Sequence, residues 1–199
     1  MASGTTEVMW VTTMQQQDVV DLLRDQHEQI KSLFGRVAAA RGTEKRELFE
    51  QLVRLLAVHE TAEEEVVHPA ARRSVAGAEQ MVDARLREED EAKHALAALY
   101  DLGVDHPEFD GKLGMLAEAV IAHAEREEAE EFPRLREEIS ADQLRRMTGA
   151  VKAAEATAPT RPHPMSGESA LGNLIAGPPL AIFDRMRDRV RDWRESDGR

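Results

Sequence analysis

Two copies of one short pattern carry the chemistry of this chain. His59-Glu60-Thr61-Ala62-Glu63-Glu64 is followed by Pro69, and His123-Ala124-Glu125-Arg126-Glu127-Glu128 by Pro133, with Arg72 and Arg136 three residues beyond each proline. On an α-helix a residue and the one four positions later share a face, so each copy sets an imidazole beside a carboxylate. Those two groups together are ligands for iron, manganese or zinc. A carboxylate turned into a protein core costs several kcal/mol unless it is paired or bound to a cation. Two matching pairs aimed inward therefore predict a metal centre, and any single inward His would not.

The elements that must position these groups are helical. Apolar residues recur at helical spacing over 18–41, 44–68, 77–102 and 107–138, and Ser140 offers an N-cap for a fifth, shorter helix over 141–157. Gly42 reads as the C-cap after the first helix, Thr43 as the N-cap of the second, and Pro69 as the second helix's end. Four long helices with short connections predict an all-α, up-down-up-down four-helix bundle with extra C-terminal helices. In the first helix His27 shares a face with Leu23, Ile30 and Phe34. In the second, His59 sits within the stripe of Leu52, Leu55, Leu56 and Val66, with Glu63 one turn on, while Glu60, Glu64 and Glu65 fall outside it. In the fourth, His123 and Glu127 line up with Leu116 and Val120.

The third helix offers three candidates. Its stripe of Leu86, Ala92, Leu96 and Leu99 centres Glu89, puts Asp90 on the flank and turns His94 almost to the opposite side. The internal repeat instead aligns the segment 23–28 with 86–91 and pairs His27 with Asp90, whereas ligand chemistry favours His94. The order adopted is Glu89, Asp90, His94. A ferritin-like arrangement would use Glu65-x-x-His68 and Glu91-x-x-His94, but periodicity turns both His68 and His94 outward, and His68 directly precedes Pro69.

Composition narrows the field. With no Cys among 199 residues, thiolate ligands, disulfides and thiol chemistry are excluded. A formal charge of −12 argues against a general nucleic-acid binder. Residues 1–17, expected to be disordered or loosely packed, lack the basic start and apolar stretch of a signal peptide, and no run is long enough to span a bilayer, so a cytoplasmic address is expected. Residues 18–157 are expected to form the bundle and the Pro/Gly-rich stretch 158–179 a linker. An amphipathic basic helix over 180–199, with Ile182, Phe183, Met186, Val190 and Trp193 on its apolar side, is expected to pack back on the bundle.

Over 18–138 these residues resemble the hemerythrin-like family, the HHE cation-binding domain: a His in the first helix, H-x3-E in the second, a third-helix ligand, H-x3-E in the fourth, and Glu131-Phe132-Pro133 after it. The resemblance implies a non-haem di-iron centre with carboxylate and oxo bridges. His27, His59 and His123 would be the terminal ligands, and Glu63 and Glu127 the bridging carboxylates. In some members the last carboxylate falls one residue later, which a local π-bulge permits, so Glu128 stands as the alternative to Glu127. Oxygen carriers of the family have two His one turn apart on the third helix, where this chain has Asp90 and His94. A carboxylate-richer site favours ferric iron, which tilts the expectation toward handling of O2, peroxide or nitric oxide in oxidative or nitrosative stress. The alternative is a non-catalytic iron- or oxygen-responsive regulatory module. Whether the chain is an enzyme is left open by the sequence.

Overall fold

A computed structural model gives the fold, and the structure describes residues 17–157. The expected linker, the basic C-terminal helix and all but the last residue of the expected N-terminal segment lie outside the described residues. Among those described there are helices and no strand: α1 (Val19–Ala39), α2 (Gly42–Ala62), α3 (His68–Ser74), α4 (Glu79–Leu102), α5 (Phe109–Arg126), α6 (Phe132–Glu138) and α7 (Ala141–Thr157). A π turn, Glu63–Val67, joins α2 to α3, and a second, Glu127–Glu131, joins α5 to α6. The long helices of the bundle are thus α1, α2 through α3, α4, and α5 through α6. The predicted all-α bundle is what the chain forms, with α7 added against α1, α2 and the first π turn.

Local chemistry explains the boundaries. Asp18 caps α1 with a reciprocal box: its carboxylate accepts from the Asp21 N–H, and Asp21 accepts from the Asp18 N–H. The α1–α2 link is shorter than the sequence suggested. Ala40 and Arg41 cap the two helices, and Gly42, at φ 55°, opens α2 in a backbone conformation that a side chain would strain. Gly103, at φ 81°, ends α4 by donating its N–H to the Leu99 carbonyl. Ser140 precedes α7 as expected, its hydroxyl accepting from the Gln143 N–H.

The apolar core falls into two clusters. One, around Val20, Leu23, Phe132 and Leu135, includes Leu144, Met147 and Val151 from α7. The other, around Phe34, Leu52, Leu96 and Phe109, fills the far end of the bundle. Between them lies a layer of buried polar side chains, because His27 stands on α1 between Leu23 of the first cluster and Ile30 of the second.

The Asp18 cap also binds the second half of the repeat, since Arg136 on α6 donates to both Asp18 and Asp21. Partial burial would raise the Asp18 pKa, but the Asp21 N–H and Arg136 outweigh it and hold it below its ordinary 3.8. The folded-state pKa is depressed, so this contribution is present above pH 3.8 and disappears as pH falls through the folded value. Asp18→Ala is expected to cost ~1 kcal/mol in denaturant unfolding near neutral pH. The difference from wild type should vanish in strong acid.

Candidate metal centre

Six side chains from four helices and two π turns converge in the polar layer. Donor atoms of His27, His59, Glu63 and Glu127 lie within 4.8 Å of one another, and so do those of Glu63, Glu89, His123 and Glu127. The two groups share Glu63 and Glu127. Nε2 of His59 is 3.3 Å from Glu63, and Nε2 of His27 and of His123 are each 3.3 Å from Glu127. Glu63, Glu89 and Glu127 are all but inaccessible to solvent. Yet both Glu63 oxygens, one oxygen each of Glu89 and Glu127, and Nε2 of His27 and His123 have no hydrogen-bond partner in the protein. Orphaned buried donors and acceptors are costly, and here they converge on common points. This donor set, imidazole and carboxylate together, fits a metal cation.

The far side of each imidazole is fixed. Nδ1 of His27 is 2.8 Å from Glu128, and Nδ1 of His123 is 2.9 Å from Glu88. A carboxylate only accepts, so each Nδ1 carries a proton, and each Nε2 points inward and offers a lone pair there once it is deprotonated. Nδ1 of His59 is 2.8 Å from Oε1 of Gln26. The orientation of that amide is set in turn, because its Nε2 donates to Glu155 on α7. Glu88 is itself held by Arg85 and Arg126, and Arg24 lies 3.6 Å from Glu128.

Each expected ligand has a definite place. His27, His59, Glu63, Glu89, His123 and Glu127 come together, and Glu128 backs His27 from outside. Asp90 and His94 do not join them: their side chains are about half exposed, and His94 bonds back to the Asp90 carbonyl. The repeat was aligned one residue out on the third helix. Its buried positions pair Val20 with Val82, Phe34 with Leu96 and Val37 with Leu99, which makes Glu89 the counterpart of His27.

Three readings need correction, and the π turns explain two of them. Each π turn closes with an N–H reaching five residues back, His68 to Glu63 and Phe132 to Glu127, which inserts a residue and rotates everything beyond. His68 therefore points inward, 2% exposed, where an unbroken α-helix would turn it to solvent; Val67 is buried and Val66 only partly so. Pro69 does not end the helix. It follows the widened turn, where the missing N–H and the bulk of the ring cost least. Glu60, placed outside the apolar stripe, is buried and lies 4.0 Å from the ammonium of Lys93, which also pairs with Glu64. Two buried residues went unnoticed in the sequence: His68, read as outward, and Glu131, which it contacts at 3.3 Å. Pro69 and Pro133, two residues beyond the ends of the π turns, are the signal that would have located the register shift.

A cavity of about 250 Å³ opens onto the layer between α1 and α5. His27, His59, Glu60, Glu89 and His123 face it, Ile30, Leu56, Ala92 and Val120 make it apolar, and exposed Glu28, Lys31 and Glu125 ring its mouth.

Comparison with known proteins agrees with this architecture. The model of the hemerythrin HHE cation binding domain matches residues 18–135. A DNA nickase of Nostoc sp. is 28% identical over 144 residues, covering 71% of this chain, which in turn spans only 40% of that protein. An uncharacterized hemerythrin-like protein of Schizosaccharomyces pombe is 23% identical over 177 residues, 88% of this chain and 87% of that one. The crystal structure of an HHE cation binding domain-containing protein, the Rv2633c homolog from Mycobacterium kansasii, superposes with a TM-score of 0.62 at 20% identity, covering 71% of this chain and 89% of that one.

The layer is electrostatically tense without a cation. Burial, then Glu127 and Glu89, push Glu63 well above the usual carboxylate range. Burial would raise Glu127 as well, but His123 and His27 hold it well below. Burial and the neighbouring His27 lower His59 to about 3, which keeps it neutral and ready to donate. Burial disfavours charge on His123, yet Glu127 and Glu89 outweigh it and raise its pKa to about 9. In the metal-free protein that imidazolium contributes stability below pH 6.5 that is lost as pH rises through about 9. A cation must displace the protons of Glu63 and His123. Affinity for ferrous or manganous ion is therefore expected to rise as pH climbs toward about 9, with protons released on uptake in weakly buffered solution. A pH-independent affinity would contradict this account.

Proposed function

The chain belongs to the hemerythrin HHE cation-binding family, and from that membership and the buried donor layer we infer that it is a non-haem di-iron protein that binds or reacts with O2, peroxide or nitric oxide in oxidative or nitrosative stress. The observation that carries the reading is the pair of overlapping four-residue donor groups sharing Glu63 and Glu127. Iron, when bound, supplies one-electron chemistry and a Lewis acid. The protein's own part is positional. His27 and His59 at one end, and Glu89 and His123 at the other, would hold the ions, with Glu63 and Glu127 between them. Glu128, Gln26 and Glu88 fix the imidazoles against rotation. The apolar walls of the cavity admit a small molecule and limit water, and Glu60, 4.0 Å from Lys93, gives that cavity a polar side next to His59. The activity in the name of the Nostoc relative belongs to a protein of which this chain spans 40%, and a charge of −12 opposes docking on a polyanion.

A second reading, a non-catalytic iron- or oxygen-responsive module, is favoured by one contact. Gln26 touches His59 with one end of its amide and Glu155 of α7 with the other, so a change at His59 is carried directly to α7.

Protein from iron-supplemented cells is expected to carry about two irons per chain, with near-ultraviolet absorption from coupled ferric ions. His59→Ala should lose at least one of them and that absorption; a wild-type chain that takes up no ferrous iron anaerobically would sink the reading. Turnover of peroxide or nitric oxide by the loaded protein would favour the first role. Hydrogen exchange in α7 that changes on iron removal, without turnover, would favour the second.

A further inference from the structure

The internal repeat relates α1, α2 and α3 to α4, α5 and α6, and it should make the two ends of the donor layer alike. Three of the positions at which they differ fit one another. Where the first end has His27, the second has Glu89. The ring stacked on His27, at 5.6 Å and 12°, is Phe132; its repeat counterpart is His68, whose Nε2 lies 2.6 Å from Glu89. Behind His68 stands Glu131, 3.3 Å from its Nδ1, where the repeat counterpart is Val67. All four of these inner residues, Val67, His68, Glu89 and Glu131, are at most 2% exposed.

Physical chemistry links the three exchanges. A carboxylate at 89 facing a phenyl ring would be buried without a donor, and a His at 68 facing Val at 131 would leave one nitrogen without an acceptor. With Glu131 and Glu89 on its two nitrogens, His68 has no free lone pair and cannot itself be a ligand. It can orient Glu89. The oxygen that His68 holds, Oε1, lies 4.0 Å from Nε2 of His123, and the other oxygen of Glu89 has no hydrogen-bond partner in the protein. The two ends then differ in donor type: His27 and His59 supply two nitrogens, whereas Glu89 and His123 supply one nitrogen and an extra oxygen.

We propose that the Glu89–His123 end is a separate, oxygen-rich seat for a hard cation such as Mn2+ or ferric iron, and that His68, backed by Glu131, is its positioning residue. This rests on the two-cation reading above. Nitrogen-rich donors favour zinc and ferrous iron, and oxygen-rich donors favour manganese, so the two ends fill with different preference.

The test uses the full-length, metal-free chain. About one equivalent of Zn2+ is added first, and Mn2+ binding is then followed by the EPR signal of free Mn2+. Wild type is expected to bind about one further ion. His68→Phe, which copies the other end of the repeat, should weaken the Mn2+ step by ~10–100-fold and leave the zinc step largely unchanged. Glu131→Gln keeps an acceptor for His68 and the volume of the side chain; it should weaken the same step by less, and serves if His68→Phe does not fold. His27→Ala should affect the zinc step instead. Equal weakening of both steps by His68→Phe, or an unaltered Mn2+ step in the folded variants, would overturn the proposal. A wild-type chain that binds none of Mn2+, Zn2+ and Fe2+ would defeat the two-cation reading and this inference together. Two ions of indistinguishable preference would defeat this inference alone.

Discussion

The desolvation of carboxylates governs this structure. Glu63, Glu89, Glu127 and Glu131 lie within one layer at no more than 1% exposure, and isolated charges in such a place are prohibitively expensive. Imidazoles from α1, α2 and α5 meet the inward oxygens, and His68 bridges Glu89 to Glu131. The unpartnered atoms of His27, Glu63, Glu89, His123 and Glu127 belong to two overlapping donor groups. Further polar contacts back these groups, from Glu128 and Glu88 behind the imidazoles to Arg85 and Arg126 behind Glu88. Large apolar clusters on both sides keep water away and raise the stakes of each pairing.

The two π turns are the backbone's answer to a geometric problem. A straight α-helix presents a narrow stripe, yet the run from α2 through α3 must offer His59 and Glu63 to one point and His68 to another, slightly rotated one. An extra residue per turn supplies that rotation at the cost of one weaker hydrogen-bonded loop. The same device at Glu127–Glu131 turns Phe132 onto His27 and buries Glu131. A proline follows each widened turn, where it does least harm to the hydrogen-bond ladder.

Much of this was legible in the sequence because it is local. Helical periodicity found the bundle, and the spacing of His59 to Glu63 and His123 to Glu127 lies within one turn, before the register slips. Glu89 was preferred over Asp90 and His94 from the apolar stripe alone, and the buried cluster contains it. What lay beyond the π turns was misread, since periodicity assumes an unbroken 3.6-residue repeat; His68 was assigned to solvent for that reason. Glu60 escaped because its burial depends on Lys93 arriving from another helix, a tertiary fact with no local trace. The repeat alignment of α4 failed by one residue for a related reason. Similar-looking charged residues, not buried positions, had set the match.

The division of the core into two apolar clusters has a mechanical consequence. Each end of the bundle is packed by its own set of side chains, one of them reinforced by α7. The ligands are therefore presented by a scaffold braced from above and below. The layer between the braces is where a bound ion would act, and the Gln26 amide links it to Glu155 of α7. A bundle braced in this way confines whatever strain the donor layer carries to the stretch between two packed ends.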